Sequence, residues 1–178
     1  MKRKMRPMHT TILVVCEGLT EKIFVEYIRG IYSEGKAKVR VISADGKGPD
    51  NVIKHAMTIF KQDGYNHCCA LLDLDLPWPP KLVKAAKAKK IVLIGSNPCI
   101  EGLFLDILSN KVPIDSLNCK HQFNTKKIGD NSIITKAILS KIFTKEILES
   151  RRENIKALND LLRCMEGEIN EVIKDGGA

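Results

Sequence analysis

No uninterrupted apolar run in this 178-residue chain approaches the roughly 20 residues that a membrane-spanning helix needs, so a bilayer span is excluded from the expectations. The six cysteines (Cys16, Cys68, Cys69, Cys99, Cys119 and Cys164) form no C-x-x-C pair, and no histidine stands at zinc-finger spacing from them. A structural zinc site is therefore not expected. Cys16, Cys68 and Cys69 sit inside apolar runs and read as small core residues of a reducing compartment. There is no internal repeat and no low-complexity tract. The turn Gly46–Lys47–Gly48–Pro49–Asp50 lacks both G-x-x-x-x-G-K-[ST] and G-x-G-x-x-G spacing, which leaves a nucleotide-binding enzyme with little support.

What is present is a basic, globular composition. Apolar residues make up 44% and charged residues 28%, enough for a packed core beneath a solvated surface. The net charge of +8 and a pI near 9.2 favour a polyanionic partner, because cationic surface releases the counterions condensed on nucleic acid. Net charge also serves solubility alone, so charge does not decide the matter. The basic start, Met1 to Pro7, reads as a frayed end or an arm that touches nucleic acid. The apolar stretch Ile12–Val15 is too short for a signal-peptide core, which makes the cytoplasm the default expectation.

Along the chain, short apolar runs alternate with helical stripes. Thr11–Cys16, Lys38–Ser43, Cys68–Leu72 and Ile91–Ile94 read as strands, the first, third and fourth continuous enough to be buried on both faces. Between them lie a helix capped at Thr20, a helix over roughly 50–62, a short basic helix over 81–88, and a helix with Pro98 in its first turn. The alternation predicts an α/β fold: a mostly parallel four-stranded sheet flanked by helices, in a unit spanning 8–110. Residues 111–178 are expected to add a loop (112–131) and a helical extension over 132–148 and 151–174, packed on the sheet or on a partner.

Ligands of open parallel sheets bind at the carboxyl ends of the strands. Glu17 ends the first run, Asp73 and Asp75 end the third, and Ser96–Asn97 end the fourth. An extended Asp73–Leu74–Asp75 would place both carboxylates on one side, where a cation relieves their repulsion; a solvated strand end is the alternative. Oxygen ligands without histidine suit Mg²⁺ or Mn²⁺. Glu17, straight after an apolar strand, is costly unless it reaches water or a metal, and Gly18 lets the chain turn tightly and a substrate approach. Glu21 and Glu101 have two readings each: a further metal-site carboxylate, or a charge favourable at a helix N-terminus. Lys81, Lys84 and Lys87, in a basic cluster with Lys89 and Lys90, are candidates for phosphate contacts, as are Lys120, Lys126 and Lys127 in the long loop.

These segments carry a resemblance. Val14–Val15–Cys16–Glu17–Gly18–Leu19–Thr20–Glu21 resembles the opening motif of Toprim domains, and Leu71–Leu72–Asp73–Leu74–Asp75 resembles their D-x-D motif. Ser96–Asn97–Pro98–Cys99–Ile100–Glu101 is similar to the S-x-P-x-x-E segment of RloB-like Toprim proteins, related to OLD-type nucleases and associated with bacterial defence and restriction loci. The resemblance covers about residues 10–110, and Gly102 departs from it, standing where the subfamily often has a larger residue. It implies a metal ligand or general acid/base at Glu17, metal binding at Asp73 and Asp75, a second-metal ligand at Glu21 and a late acidic position at Glu101. It further implies a metal-dependent DNA or RNA endonuclease acting in phage defence, with a partner ATPase; a homodimer is left open. Topoisomerase activity is not expected, since Tyr27, Tyr32 and Tyr65 lack the context of a nucleophile, nor is primase activity. A non-catalytic nucleic-acid-binding or regulatory subunit is the alternative.

Overall fold

The computed structural model describes residues 9–128 and 133–174. Four strands, β1 (Thr10–Cys16), β2 (Ala37–Ser43), β3 (His67–Asp73) and β4 (Ile91–Ser96), form one sheet in the order β2-β1-β3-β4, every pairing parallel. The crossovers carry α1 (Leu19–Tyr32), α2 (Gly48–Asp63) and α3 (Pro80–Ala88), and α4 (Ile100–Ile107) follows β4. This is an α/β Rossmann-like fold, as the alternation predicts.

Strand alternation divides the core. Ile12, Val14 and Cys16 of β1, with Cys69, Leu71, Val92 and Ile94, face α1, α4 and the C-terminal helices. Leu13 and Val15, with Cys68, Ala70, Leu72, Ile91 and Leu93, face α2 and α3. Because both faces are covered, the strands read as continuous apolar runs rather than alternating ones. The chain goes from β1 outward to β2, then crosses back over to β3, so the direction of winding reverses between β1 and β3. That crevice is the topological switch point of the sheet.

The C-terminal third is more broken than the sequence suggests. The expected loop contains α5 (Ser116–Phe123) and a π-helical turn, Asn124–Ile128. Asp115 caps α5 by accepting from the Asn118 amide (2.9 Å), and Cys119 and Phe123, one turn apart, are its buried contacts. The two expected long helices are four: α6 (Lys136–Ile142), α7 (Lys145–Arg152), α8 (Lys156–Glu166) and α9 (Ile169–Lys174). Thr144 starts a new helix by accepting from the Ile147 amide (3.4 Å), and left-handed Gly167 (φ +86°) ends α8. Leu139, Phe143, Leu148, Leu158, Leu161 and Leu162 from these segments join the same apolar cluster as β1 and α1. Pro98 also differs from expectation. It precedes α4 in a cis Asn97–Pro98 bond, and Cys99 is the N-cap. Among the described residues, no helix is long and apolar enough to cross a membrane.

Candidate metal centre

Strand ends and helix starts meet at the switch point. The Glu17 amide donates to the Leu71 carbonyl (3.2 Å), and a Glu17 carboxylate oxygen accepts from the Asp73 amide (3.2 Å), which locks the exits of β1 and β3 together. The Leu74 amide donates to the carbonyls of Ser96 (3.0 Å) and Pro98 (2.9 Å), tying in the exit of β4. Ser96, fully buried, donates from its hydroxyl to Asp73 Oδ1 (2.8 Å), and the Trp78 indole N–H donates to the Asp73 carbonyl (2.9 Å). Asp73 is thus held at its side chain, amide and carbonyl at once.

Glu17, Glu21, Asp73 and Glu101 line one cavity of about 270 Å³, with Lys120 of α5 across from them. Grooves of about 480 Å³ beside α5 and about 500 Å³ between α2 and α3 are larger, but neither gathers more than one carboxylate. Glu21 serves the helix as well as lining the cavity: its Oε2 accepts from the Gly18 amide (3.1 Å) at the start of α1. Gly18 has extended backbone (φ −131°), so its turn needs no left-handed geometry. A Cβ there would stand 3.1 Å from the same Glu21 oxygen.

Asp75 lies off this cavity. β3 ends at Asp73 and residues 74–76 bend, so strand alternation stops before it can bring the second aspartate to the first one's side. Asp75 Oδ2 instead accepts from the Ser116 hydroxyl (2.8 Å) and fastens the start of α5, the helix that carries Lys120. Lys126 is exposed on the π-helical turn, and Lys81, Lys84 and Lys87 are exposed on α3. The basic stretch 1–7 and the side chain of Lys127 lie outside the described residues.

The electrostatics are those of crowded anions. Burial first, then the charges of Glu21, Glu17 and Asp75, push the Asp73 carboxyl up to about 7, against the opposing bond from Ser96. Burial and the neighbouring Glu101 and Glu17 charges also raise Glu21. Burial, then the Glu101 carboxylate beside it, hold the Cys99 thiol up at about 12. Burial pulls Lys120 down, but Glu101, Cys99, Asp73 and Glu21 outweigh it, and its net shift is upward.

Asp73 is therefore proton-loaded in the folded chain over a range where the unfolded chain has already ionised it. Its contribution to stability is complete below about pH 4 and is lost as pH rises through about 7. The metal-free protein is expected to lose melting temperature from about pH 5 to about pH 8, with Mg²⁺ restoring more of it at the upper value, where the carboxylates are ionised. Thermal melts with and without the ion at both pH values check this.

Two observations bear on whether a divalent ion fits. The donors are all carboxylate oxygens, and Glu101 Oε2 is buried without a hydrogen-bond partner among the described residues, a state that costs about 1–3 kcal/mol unless something meets it. Against a closed cage, no three His, Cys, Asp or Glu side chains among the described residues stand close enough to hold an ion together. The set fits an ion that keeps most of its water and takes one or two carboxylates, as Mg²⁺ does, and not a fully protein-ligated one.

The RloB-like protein model matches residues 12–158, most of the chain and every residue of this cavity. The chain belongs to the RloB-like family. No curated protein and no solved structure matches it. In this RloB-like chain, Gly102 is dictated by packing. A Cβ there would stand 2.7 Å from Cδ of the Pro98 ring and would collide with the backbone carbonyl oxygen of Asn97. Gly102→Ala is expected to destabilise by about 1–3 kcal/mol and to displace Glu101, its neighbour. Denaturant unfolding checks this; an unchanged midpoint would show that the 97–102 turn yields freely.

Proposed function

We propose that this RloB-like protein is a metal-dependent phosphodiester hydrolase of the Toprim type, related to OLD-type nucleases, that cuts DNA or RNA, with Mg²⁺ or Mn²⁺ as its ion. The observation that supports this reading is the gathering of Glu17, Glu21, Asp73 and Glu101, from the exit of β1, α1, β3 and α4, opposite Lys120 at the sheet's switch point. Four buried or half-buried carboxylates in one cavity repel each other, and a divalent cation turns that cost into binding.

Glu17 and Asp73 are the residues proposed to hold the ion, which would keep most of its water, with Glu101 and the Glu21 oxygen not engaged by Gly18 available to that water or to a second ion. The ion would supply a polarised phosphate and a more acidic water. Ser96 and the Glu17–Asp73 amide bond fix the carboxylates beforehand, and Lys120 is placed to neutralise charge gathering on the phosphate. The association of the resembling subfamily with bacterial defence loci makes foreign nucleic acid the proposed target. A partner ATPase or a second copy of the chain are the protein partners this reading allows.

One observation favours a second reading, a non-catalytic nucleic-acid-binding or regulatory subunit: no three candidate ligands converge among the described residues. Incubating plasmid, single-stranded DNA and tRNA with Mg²⁺ or Mn²⁺ separates the two. The hydrolase reading expects cutting of at least one substrate by the wild type and none by Asp73→Ala. Equal cutting by both, or none by either, contradicts it.

A further inference from the structure

Charge is distributed unevenly over the molecule. On the face built by α1 and the C-terminal helices, several cations are matched by anions: Arg152 with Glu166 (2.9 Å), Arg151 with Asp106 (3.3 Å), Lys136 with Glu26 (2.6 Å) and Lys156 with Asp160 (2.6 Å). On the opposite face, residues 80–90 hold five lysines and no acidic residue. All five are exposed, and none has an ion-pair partner among the described residues. Across from α3, Lys61 of α2 is likewise exposed and unmatched among the described residues, while Lys54 pairs with Asp50. A groove of about 500 Å³ lies between the two helices, with Lys54, Lys61 and Lys89 on its walls.

Folding does not explain this cluster. The helix dipole favours Lys87 in the last turn of α3, but Lys81 stands in the first turn, where a cation is disfavoured. Lysines three apart on a helix lie within the screening length of about 8 Å at physiological salt, so they repel one another. Such a surface gains by releasing condensed counterions from a linear polyanion. α3 begins beyond the exit of β3, at the same end of the sheet as the carboxylate cavity, and runs roughly 13 Å toward the far end.

We infer that the α2–α3 face, with Lys81, Lys84, Lys87, Lys89 and Lys61, is a backbone-tracking surface that holds the nucleic-acid strand leaving the carboxylate cavity. This rests on the nucleic-acid reading of that cavity, although binding along α3 needs no cleavage. Lysine ammonium groups contact phosphates as point charges and carry no base readout of their own, so the grip is insensitive to sequence.

The test is done on the full chain carrying Asp73→Asn, without divalent ion, so that binding is read apart from cutting. Fluorescence anisotropy with single-stranded DNA, single-stranded RNA and duplex DNA is followed against salt. Changing Lys81, Lys84, Lys87 and Lys89 to Gln is expected to lower the slope of log K against log salt by about 3 and to weaken binding at least tenfold. Changing Lys136, Lys141, Lys145 and Lys156 to Gln removes equal charge from the other face and is expected to lower the slope by less than about 1. Melting curves verify that both variants fold. Equal losses from both sets, no loss from the α3 set, or failure of the Asp73→Asn chain to bind any nucleic acid while it binds anionic vesicles would each overturn the inference. Binding through α3 by a protein that cuts nothing would leave this inference standing and remove the hydrolase.

Discussion

Asp73→Asn is expected to reduce metal-dependent cutting by on the order of 10²–10³-fold, the scale of removing one group that stabilises developing charge. The same variant is expected to leave the metal-free protein at least as stable as the wild type above about pH 7. Both effects come from one feature. Burial first, and then the charges of Glu21 and Glu17, push the Asp73 carboxyl up to about 7, so its ionised form is unfavourable until a cation joins it. Asparagine keeps an oxygen to accept the Ser96 hydroxyl, and the backbone bonds to Glu17 and Trp78 do not involve the side chain. A purely structural aspartate would behave in the opposite way: its loss would lower the melting temperature and spare activity. Melts at about pH 8, beside cleavage rates measured on the same preparations, separate the two.

Phe104→Ala is expected to cost about 3–5 kcal/mol, a large part of a total stability on the order of 5–15 kcal/mol. The Phe104 ring is fully buried, with centroids 4.9 Å from Phe24, 4.9 Å from Phe123 and 5.1 Å from Phe143. It therefore joins α4 to α1, to α5 and to the turn before α7, beneath the cavity that Glu101 and Lys120 line. A fall in melting temperature on the order of 10 °C follows for a chain of this size. A loss under about 1 kcal/mol would mean that the site collapses without cost, against the rigidity of packed cores, and that α5 is not anchored as described.

How much of this was legible in the sequence depends on how local the signal was. The four strands stand out because sheets covered on both faces select unbroken apolar runs, and Val14–Cys16 and Ala70–Leu72 are such runs. Glu17, Glu21, Asp73 and Glu101 were readable because each follows an apolar strand or opens a helix, and the winding of the chain does the rest. An extended D-x-D would carry Asp75 to the side of Asp73, but the chain bends once β3 ends and Asp75 stands off the cavity. In the sequence Lys120 is one of several loop lysines, and its place opposite the carboxylates is fixed by α5 and by the Asp75–Ser116 bond, a contact 41 residues apart. The α5 helix does carry a sequence signal: Asp115 as N-cap, then Cys119 and Phe123 one turn apart. The long C-terminal stripe hid its breaks because apolar residues continue across Thr144 and Gly167, while capping at those residues ends each helix. The expected cations, nucleic acid and protein partners belong to chemistry that spacing alone does not reach.

Titrating Mn²⁺ into the metal-free protein by electron paramagnetic resonance, beside Glu17→Gln and Asp73→Asn, asks whether these side chains share an ion. Saturable binding by the wild type that weakens at least tenfold in each variant, at unchanged fold, is the predicted result. Equal Mn²⁺ affinity in all three proteins, or no saturable binding to the wild type, would contradict it.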